Sequence, residues 1–400
     1  MRSLRERTDT GALRAHRFLM RVGLSLANVF AWIFIFNFSY AITRDLSTAL
    51  SVVVILYALS QFITIVFTPI TAAHLRRGSR HTLIWAAVLA AGAFVYLGAG
   101  FEGYFQHWSI ASVLATFAVM MGMYRALYFV PYQVTLAATN EPHKRMQSIF
   151  EIVIALMPLF AGLTVAFEAD GPERLLFGAA AIIIISIIPV LFLGDTHEKY
   201  SWTYTGTYAR LFSSKHGALV TSSFLDGVQG AALFLLWPIV VFLVVDWSYA
   251  SLGLVFSVTL LLVLTLRGAY DVLTAPLKIK NSVPIQAAVA ASGWIVRLAA
   301  GTPVGIIAAD TYGHSSGEPR ATLSDPFAFE QVADRGSFVD EFTVLKEISL
   351  GLGRMLMCVV VGLISAVAPI EFALGVALVF AAISSALSII IARTATAEAY

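Results

Sequence analysis

The chain of 400 residues is 58% hydrophobic and only 12% charged, with a mean hydropathy of +0.81, which is more apolar surface than a soluble fold of this length buries. Its apolar runs of about 20 residues match helices that cross a ~30 Å hydrocarbon layer, and their lack of alternation excludes a β-barrel. The net charge of +2 is too small to favour a nucleic-acid partner, and the single cysteine, Cys358, excludes a disulfide framework or a thiolate metal cluster.

Twelve apolar runs follow one another along the chain, and each predicts a membrane-spanning helix. Residues 1–22 are basic and polar and predict a cytoplasmic N-terminal tail. The run after them lacks a small-residue cleavage site, so we interpret it as the first span rather than a signal peptide. The predicted spans are 23–42, 48–70, 82–100, 109–137, 149–167, 174–194, 217–244, 249–269, 283–299, 302–322, 345–365 and 369–392.

Positive charge predicts the orientation of these spans. With the N-terminus inside, the cytoplasmic segments hold 21 Lys and Arg, whereas the outer loops hold three: Arg44, Arg174 and Arg297. Residues 283–311 can also be read as one long helix, which would give eleven spans and place later cations outside. The charge asymmetry favours twelve spans with a tight turn at 300–303 and both termini in the cytoplasm.

The polar segment 195–216 divides the chain into two six-span halves, 23–194 and 217–393, with 394–400 as a cytoplasmic tail. Its tyrosines and tryptophan suit the headgroup layer, although a plain linker on the membrane surface is the alternative interpretation. Residues 80–100 and 281–301 are identical at ten of 21 positions without a gap. Weaker matches link 128–142 with 312–326 and 150–158 with 346–354. The three matches, in the same order, predict parallel repeats.

Twelve spans, two six-span repeats, a cytoplasmic central loop and inside termini resemble the major facilitator superfamily of transporters. The superfamily's Gly-x-x-x-Asp-Arg-x-Gly-Arg-Arg loop is represented here by TAAHLRRGSR, in which Arg76, Gly78 and Arg80 fit and Leu75 replaces the aspartate. Span five reads IALMPLFAGL, which is similar to a degraded Gly-Pro-x-x-Gly-Gly antiporter element. The resemblance implies an all-α membrane protein of two pseudo-symmetric six-helix halves with a solute site near the midplane.

Arg125 lies about halfway along the fourth span, where an unpaired cation is costly unless it faces protein or water. We expect it to face the central cavity and bind an anionic group, which the guanidinium fork suits. The alternative is a structural partner for a buried carboxylate or carbonyl. Tyr128 and Tyr132, at i+3 and i+7, are expected to share its face. The other predicted substrate-binding residues are Asn37, Gln229 and Trp237.

Asp310, His314 and Glu318 are spaced i, i+4, i+8 and form one stripe if span ten extends through them. Two carboxylates around a histidine raise the histidine pKa and suit proton coupling. The alternative is that residues 313–326, with two glycines and two prolines, already form a cytoplasmic loop. No metal site is predicted, because no second helix supplies ligands.

Charged residues near the predicted cytoplasmic ends suggest a gate. Two of them, Glu151 and Glu347, occupy equivalent places in the repeats and are expected to pair with the basic loops at 76–80 or 267–280 when that side closes. Their simpler explanation is that acid stabilises a helix N-terminus. For Asp226, plain solvation or direct transport chemistry competes with a gate role. The predicted gate residues are Arg76, Arg80, Glu151, Asp226, Asp271, Glu347 and Arg354.

The sequence therefore predicts a monomeric multi-pass protein of a bacterial cytoplasmic membrane. We expect a secondary active transporter of a small polar or anionic solute that works by alternating access, with proton coupling left open. The alternatives are a transporter of lipid or hydrophobic drugs, and a transport-inactive sensor or scaffold. No cofactor or enzymatic activity is expected, because the chain has no glycine-rich phosphate loop with lysine.

Overall fold

The computed structural model describes residues 2–104, 109–138, 147–168, 170–274, 283–316 and 339–398, and these are mostly helical. The helices are α1 (Arg2–Thr43), α2 (Leu46–His74), α3 (Ser79–Phe101), α4 (Ile110–Ala138), α5 (Gln147–Phe167), α6 (Gly171–Ile185), α7 (Ile187–Leu191), α8 (Tyr204–Leu211), α9 (Gly217–Ala231), α10 (Trp237–Val244), α11 (Tyr249–Thr274), α12 (Val283–Leu298), α13 (Pro303–Ser316), α14 (Val339–Ser365) and α15 (Ile370–Glu398). A π-helical turn, Ala232–Leu236, joins α9 to α10.

Within the described residues, ten helical segments are long and apolar enough to cross a membrane. The chain is therefore a multi-pass membrane protein. Helices lie at all twelve predicted spans, but α12 and α13 have only 16 and 14 described residues. Both fall short of the roughly 20 residues that a membrane crossing needs. The count of twelve spans stays a prediction.

The first helix starts much earlier than the predicted span. Residues 2–22, expected to be a polar tail, continue α1 without a break. Leu13, His16 and Met20 are buried, and their spacing makes one stripe along the helix. The His16 ring nitrogen Nδ1 lies 2.8 Å from the Ser186 carbonyl oxygen, and Asp9 accepts a hydrogen bond from the Gly194 N–H at 2.9 Å. Packing against α6 and α7 therefore explains why this segment is helical.

Helices on either side of the central loop (residues 195–216) pack extensively among themselves. Before the loop, α3 packs on α4 and α6, and α2 packs on α4. After it, α9 packs on α14 and α15, and α12 packs on α15. Two long contacts join the two sets: α2 with α14, and α5 with α11. Side chains from before and after the central loop therefore meet mainly along these two helix pairs.

The α2–α14 contact is antiparallel and in register along its whole length. At one end the hydroxyls of Ser51 and Ser365 lie 2.9 Å apart. Toward the other end, a Cβ at Gly351 would stand 2.8 Å from Ile65 Cγ1, so the Ile65 side chain packs directly against this glycine. In an antiparallel contact, each step forward along α2 faces one step backward along α14. The height of a residue of α14 along the bundle axis can therefore be given by the residue of α2 that it faces.

Apolar side chains from both sets of helices pack together toward each end of the bundle. The cluster at the loop end, meaning the end that carries residues 195–216, consists of Ile65, Ala72, Leu75, Val130, Val134, Tyr200, Leu211, Leu219, Val344, Leu345 and Ile348. Toward the opposite end, aromatic rings of α1 meet those that follow the π-turn: Phe36 stacks on Trp247 at 5.8 Å, and Phe34 meets Tyr249 at 5.4 Å. Arg125 and Arg354, the two central arginines, lie near the middle of α4 and of α14.

Candidate functional site

Arg125 lies midway along α4 and has no anionic partner in the described part of the chain. Its guanidinium carbon is 5.3 Å from the centre of the Phe129 ring. Its Nε is buried without a hydrogen-bond partner. The structure places no carboxylate within ion-pair distance of this group among the residues that it describes. The geometry thus gives no support to the structural alternative, a buried carboxylate paired with Arg125.

Tyr128 and Tyr132, predicted to share a helix face with Arg125, contact other residues than its guanidinium does. Tyr128 and Tyr132 stack with their ring centres 5.4 Å apart, and both are buried. The Tyr128 ring is 5.8 Å from the ring of His16, and the Arg17 guanidinium carbon is 5.8 Å from the Tyr132 ring. These tyrosines therefore pack against α1, while the guanidinium extends along α4 over Phe129.

Arg354 is the second arginine in the middle of a long apolar helix. It is 8% exposed, and its Nη1 donates a long hydrogen bond of 3.4 Å to Gln61 Oε1 on α2. A Cβ at Gly230 would stand 3.3 Å from Arg354 Nε, so this glycine leaves room for the guanidinium beside α9. The position is central, about four helical turns from the start of α14 at Val339 and about three from its end at Ser365.

Asp310 lies in a fully buried ion pair inside the second set of helices. Arg297 Nε donates to Asp310 Oδ1 at 2.6 Å, and Trp237 Nε1 donates to Asp310 Oδ2 at 2.8 Å. Both charged side chains are 2% exposed. The Arg297 guanidinium carbon also lies 4.6 Å from the Trp294 ring. Arg297 was expected in an outer loop, and that placement is wrong.

The predicted proton-coupling stripe is only partly described. His314 is exposed, one turn after Asp310 on α13, and Glu318 lies outside the described residues. Asp310 is bonded to Arg297 and Trp237, which come from other helices. In the described part of the chain no group of three His, Cys, Asp or Glu side chains is placed to hold a metal ion. Asp310 is therefore the member of the stripe with a defined environment.

Two further predicted substrate residues, Asn37 and Gln229, make hydrogen bonds, the first to another helix and the second within α9. Asn37 Nδ2 on α1 donates to the Tyr249 hydroxyl on α11 at 2.9 Å, which links the two sets of helices. Gln229 Nε2 donates to Asp226 Oδ1 at 3.3 Å, and the Ser388 hydroxyl donates to the same oxygen at 2.6 Å. Asp226 is thus tied to α15 in this structure.

Glu151 forms an ion pair with a partner that was not expected. Its two carboxylate oxygens accept hydrogen bonds from the Arg21 guanidinium at 2.5 and 2.8 Å. Arg21 lies on the helical extension of α1, so the pair joins α1 to the start of α5 instead of to the basic loops. Glu347 is buried on α14. The Asp271 residue belongs to α11, but its side chain lies outside the described residues.

The basic loop after α2 contacts the central loop. Arg76 Nη2 donates to the Tyr200 carbonyl at 3.2 Å, and the Arg80 backbone N–H donates to Asp195 Oδ1 at 3.1 Å. Gly78 has a φ of +107°, and a Cβ there would stand 2.2 Å from Asp195 Oδ1. Only glycine allows that carboxylate to reach the start of α3. Asp195 thereby sits beside the loop in which Leu75 replaces the superfamily's aspartate.

The central loop is attached to both sets of helices. Glu341 Oε1 on α14 accepts hydrogen bonds from the Ser201 N–H at 3.1 Å and the Ser201 hydroxyl at 2.5 Å. On the other side, the Tyr208 hydroxyl donates to the Ile65 carbonyl at 2.9 Å. That carbonyl is freed by Pro69, which has no N–H to bond four residues back. Burial raises the pKa of the Tyr208 hydroxyl, so it stays protonated and able to donate at neutral pH.

Replacing Tyr208 with phenylalanine is expected to loosen the central loop from α2. The change removes one hydrogen bond to a carbonyl with no helical partner, at a cost of about 1 kcal/mol. Hydrogen exchange of residues 195–216 should become several-fold faster than in the wild type. Tyr204→Phe is the comparison variant and should have a smaller effect, because its hydroxyl makes only long, exposed contacts of 3.4 Å with the Val66 carbonyl and with the Tyr208 hydroxyl. Equal exchange in the two variants would contradict a specific role for Tyr208.

Comparison with known proteins gives the fold. No family model matches the chain, and no curated protein matches it in sequence. Solved structures do match it over nearly its whole length. A bacterial homologue of the iron transporter ferroportin, in an inward-facing state, has a TM-score of 0.64 and 14% identity, covering 98% of both chains.

Two other solved structures agree with this match. A D-xylose-proton symporter has a TM-score of 0.63 and 15% identity, covering 94% of this chain and 96% of its own. A POT family transporter in complex with 5-aminolevulinic acid has a TM-score of 0.62 and 12% identity, covering 97% and 96%. At such identities the likeness establishes the fold and leaves the solute open. The chain therefore has the fold of the major facilitator superfamily of transporters.

Proposed function

We propose that this protein is a secondary active transporter that moves a small anionic solute across a membrane by alternating access. The observation that carries the proposal is the Arg125 guanidinium, which lies midway along a membrane-crossing helix and pairs with no carboxylate among the described residues. A charged side chain at that depth costs a few kcal/mol even on insertion scales. A residue kept at such a cost, without a carboxylate partner among the described residues, is suited to a charged ligand.

The proposed architecture has twelve spans in two six-span halves, α1–α7 and α9–α15, with the solute between them. In this count α6 and α7 form one span, and α9 and α10 form another. The contacts of α2 with α14 and of α5 with α11 support this arrangement, because they are the long seams between the two sets. We place both termini and the central loop in the cytoplasm of a bacterial cell, with the protein in its inner membrane. The burial of Arg297 strengthens the charge asymmetry, since one of the three cations assigned to outer loops lies inside the bundle.

We assign proton coupling to Asp310, the one predicted coupling residue with a defined and buried environment. The helix that runs from α9 to α10 supports a link between this carboxylate and the central arginines. Its Gly230 leaves room for the Arg354 guanidinium, its Trp237 donates a hydrogen bond to Asp310, and the π-helical turn lies between these two residues. Short π segments often occur at functional sites. A change in the charge of Asp310 would act on the same helix that borders the arginine site.

Arg125→Gln is expected to abolish binding of anionic metabolites while leaving the fold intact. The test is a thermal-shift panel of anionic, neutral and cationic small molecules on the purified protein. A ligand at a hundred times its dissociation constant stabilises by about 2.7 kcal/mol, a shift that is easily measured. Arg174→Gln is the matched control, because that arginine is 57% exposed and pairs with Glu168.

Two results would contradict the proposal. Stabilisation by neutral or lipid-like compounds alone would favour the lipid-handling alternative. An anion that stabilises wild type and Arg125→Gln equally would remove Arg125 from the site. Once a ligand is found, flux into proteoliposomes under an imposed pH gradient tests the coupling, and a rate that is insensitive to the gradient would remove Asp310 from that role.

A further inference from the structure

We propose that Arg125 and Arg354 together form one site for a compact solute with two negative charges. One guanidinium comes from a helix before the central loop and the other from a helix after it. This inference rests on the proposed transport of an anion and adds the charge of the solute and a second ligand-binding residue.

Both arginines lie on helices that pack against α2, and their contacts with α2 show that they are at similar heights along the bundle axis. Gly122 of α4 packs directly on α2, because a Cβ there would stand 2.3 Å from the Ser60 carbonyl oxygen, and the Thr64 hydroxyl donates to the Gly122 carbonyl at 3.1 Å. Arg125 follows one turn later, near the level of Ile65. Because Ile65 contacts Gly351 of α14, Arg125 lies about one helical turn, or ~5 Å along the axis, from Arg354.

The helices that carry the two arginines, α4 and α14, also contact each other directly. Like charges at neighbouring levels of one bundle repel each other, and Glu347, the acidic residue of α14 nearest to Arg354 in sequence, lies seven residues or about two turns away. Glu347 is not within ion-pair distance of either guanidinium among the described contacts. The positive charge of the site is therefore only partly balanced by the protein.

Neither guanidinium is saturated by the protein. The Nε of each is buried without a hydrogen-bond partner. Among the described residues, the only hydrogen bond that either group makes is the long one from Arg354 to the Gln61 side chain. Each guanidinium has five N–H donors in a planar fork that matches two oxygens of a carboxylate or phosphate. Most of these donors are available to a bound solute.

A solute with two anionic groups satisfies this arrangement better than one with a single group. A single carboxylate fills one fork and leaves the repulsion with the other cation in place. A dicarboxylate, or a doubly charged phosphate monoester, offers oxygens to both forks and screens one charge from the other. Because the two cations belong to different sets of helices, such a solute also joins the sets at the centre of the bundle.

The test compares doubly charged probes with their singly charged esters by calorimetric titration of the purified protein. Succinate is paired with monomethyl succinate. Methyl phosphate, at a pH where it is doubly charged, is paired with dimethyl phosphate, so that the two pairs distinguish a carboxylate from a phosphate ligand. We expect at least one dianion to bind at least about tenfold more tightly than its ester, which is the effect of one charge-assisted hydrogen bond.

Variants test whether Arg354 is responsible for the tighter binding of the dianion. Arg354→Gln should reduce the affinity for the preferred dianion to about that for its ester, with the affinity for the ester little changed. Gln61→Leu, which removes the neutral contact of Arg354, is a second variant in case Arg354→Gln does not fold. Arg174→Gln should behave as wild type.

The outcomes separate this inference from the proposed function. If wild-type protein binds each dianion and its ester equally, or binds only monoanions, the two-charge site is overturned and anion transport stands. A dianion preference that survives Arg354→Gln in a folded variant removes Arg354 from the site. If no anion of either charge binds, the proposed function fails together with the inference.

Discussion

Replacing Arg297 with leucine is expected to lower the free energy of unfolding by about 3–5 kcal/mol, the usual cost of removing one partner from a buried ion pair. The change leaves the Asp310 carboxylate buried, with only the Trp237 N–H to compensate it. Both side chains of the pair are 2% exposed, so water cannot take over the lost contact. The measurement is denaturant unfolding in detergent followed by tryptophan fluorescence.

A double-mutant cycle separates loss of the pair from loss of packing. Asp310→Leu alone should also be strongly destabilised, because it leaves the Arg297 cation unpaired. The double variant Arg297→Leu/Asp310→Leu should recover much of the loss, since replacing both partners by apolar residues is often nearly neutral. If the double variant is as unstable as the sum of the two single ones, Arg297 and Asp310 do not act as a pair.

The sequence indicated Asp310 but not its partner, and the reason is geometric. Arg297 is close to the predicted turn between two helices, where hydropathy gives no indication of whether a side chain points to solvent or back into the bundle. The signal that was available is local: Arg297 follows Trp294 by three residues, so both share a helix face. An arginine stacked on a tryptophan belongs to a packed surface more readily than to an exposed loop.

Most of the fold could be predicted from hydropathy, because length and apolar composition determine which segments cross a bilayer. The start of α1 was missed because residues 1–22 look polar on average. Their buried stripe of Leu13, His16 and Met20 has helical spacing and was visible in the sequence. The neighbouring levels of Arg125 and Arg354 could not be predicted, since they depend on α2 packing against two helices that lie far apart in the chain.

Substituting valine for Gly253 is expected to destabilise the contact between α5 and α11 by about 1–3 kcal/mol, the typical cost of overpacking a close contact. A Cβ at Gly253 would stand 2.2 Å from the Pro158 carbonyl oxygen, and one at Gly162 would stand 2.3 Å from the Tyr249 carbonyl oxygen. The clashing atoms are backbone, so the helices themselves must separate. The Leu159 N–H, which donates to the Ser257 hydroxyl at 2.9 Å, would lose that partner as they do.

Gly178→Val is the matched control, because nothing lies within 4 Å of a Cβ at that exposed position on α6. Thermal unfolding and solute exchange in proteoliposomes should both be impaired in Gly253→Val and unchanged in Gly178→Val. Because α5 and α11 belong to different sets of helices, the glycine contact lies on one of the two seams across which the halves would rock. Normal stability and normal exchange in Gly253→Val would mean that these helices are not in close contact in the working protein. Normal stability with lost exchange would instead mean that their close approach is needed only during the transport cycle.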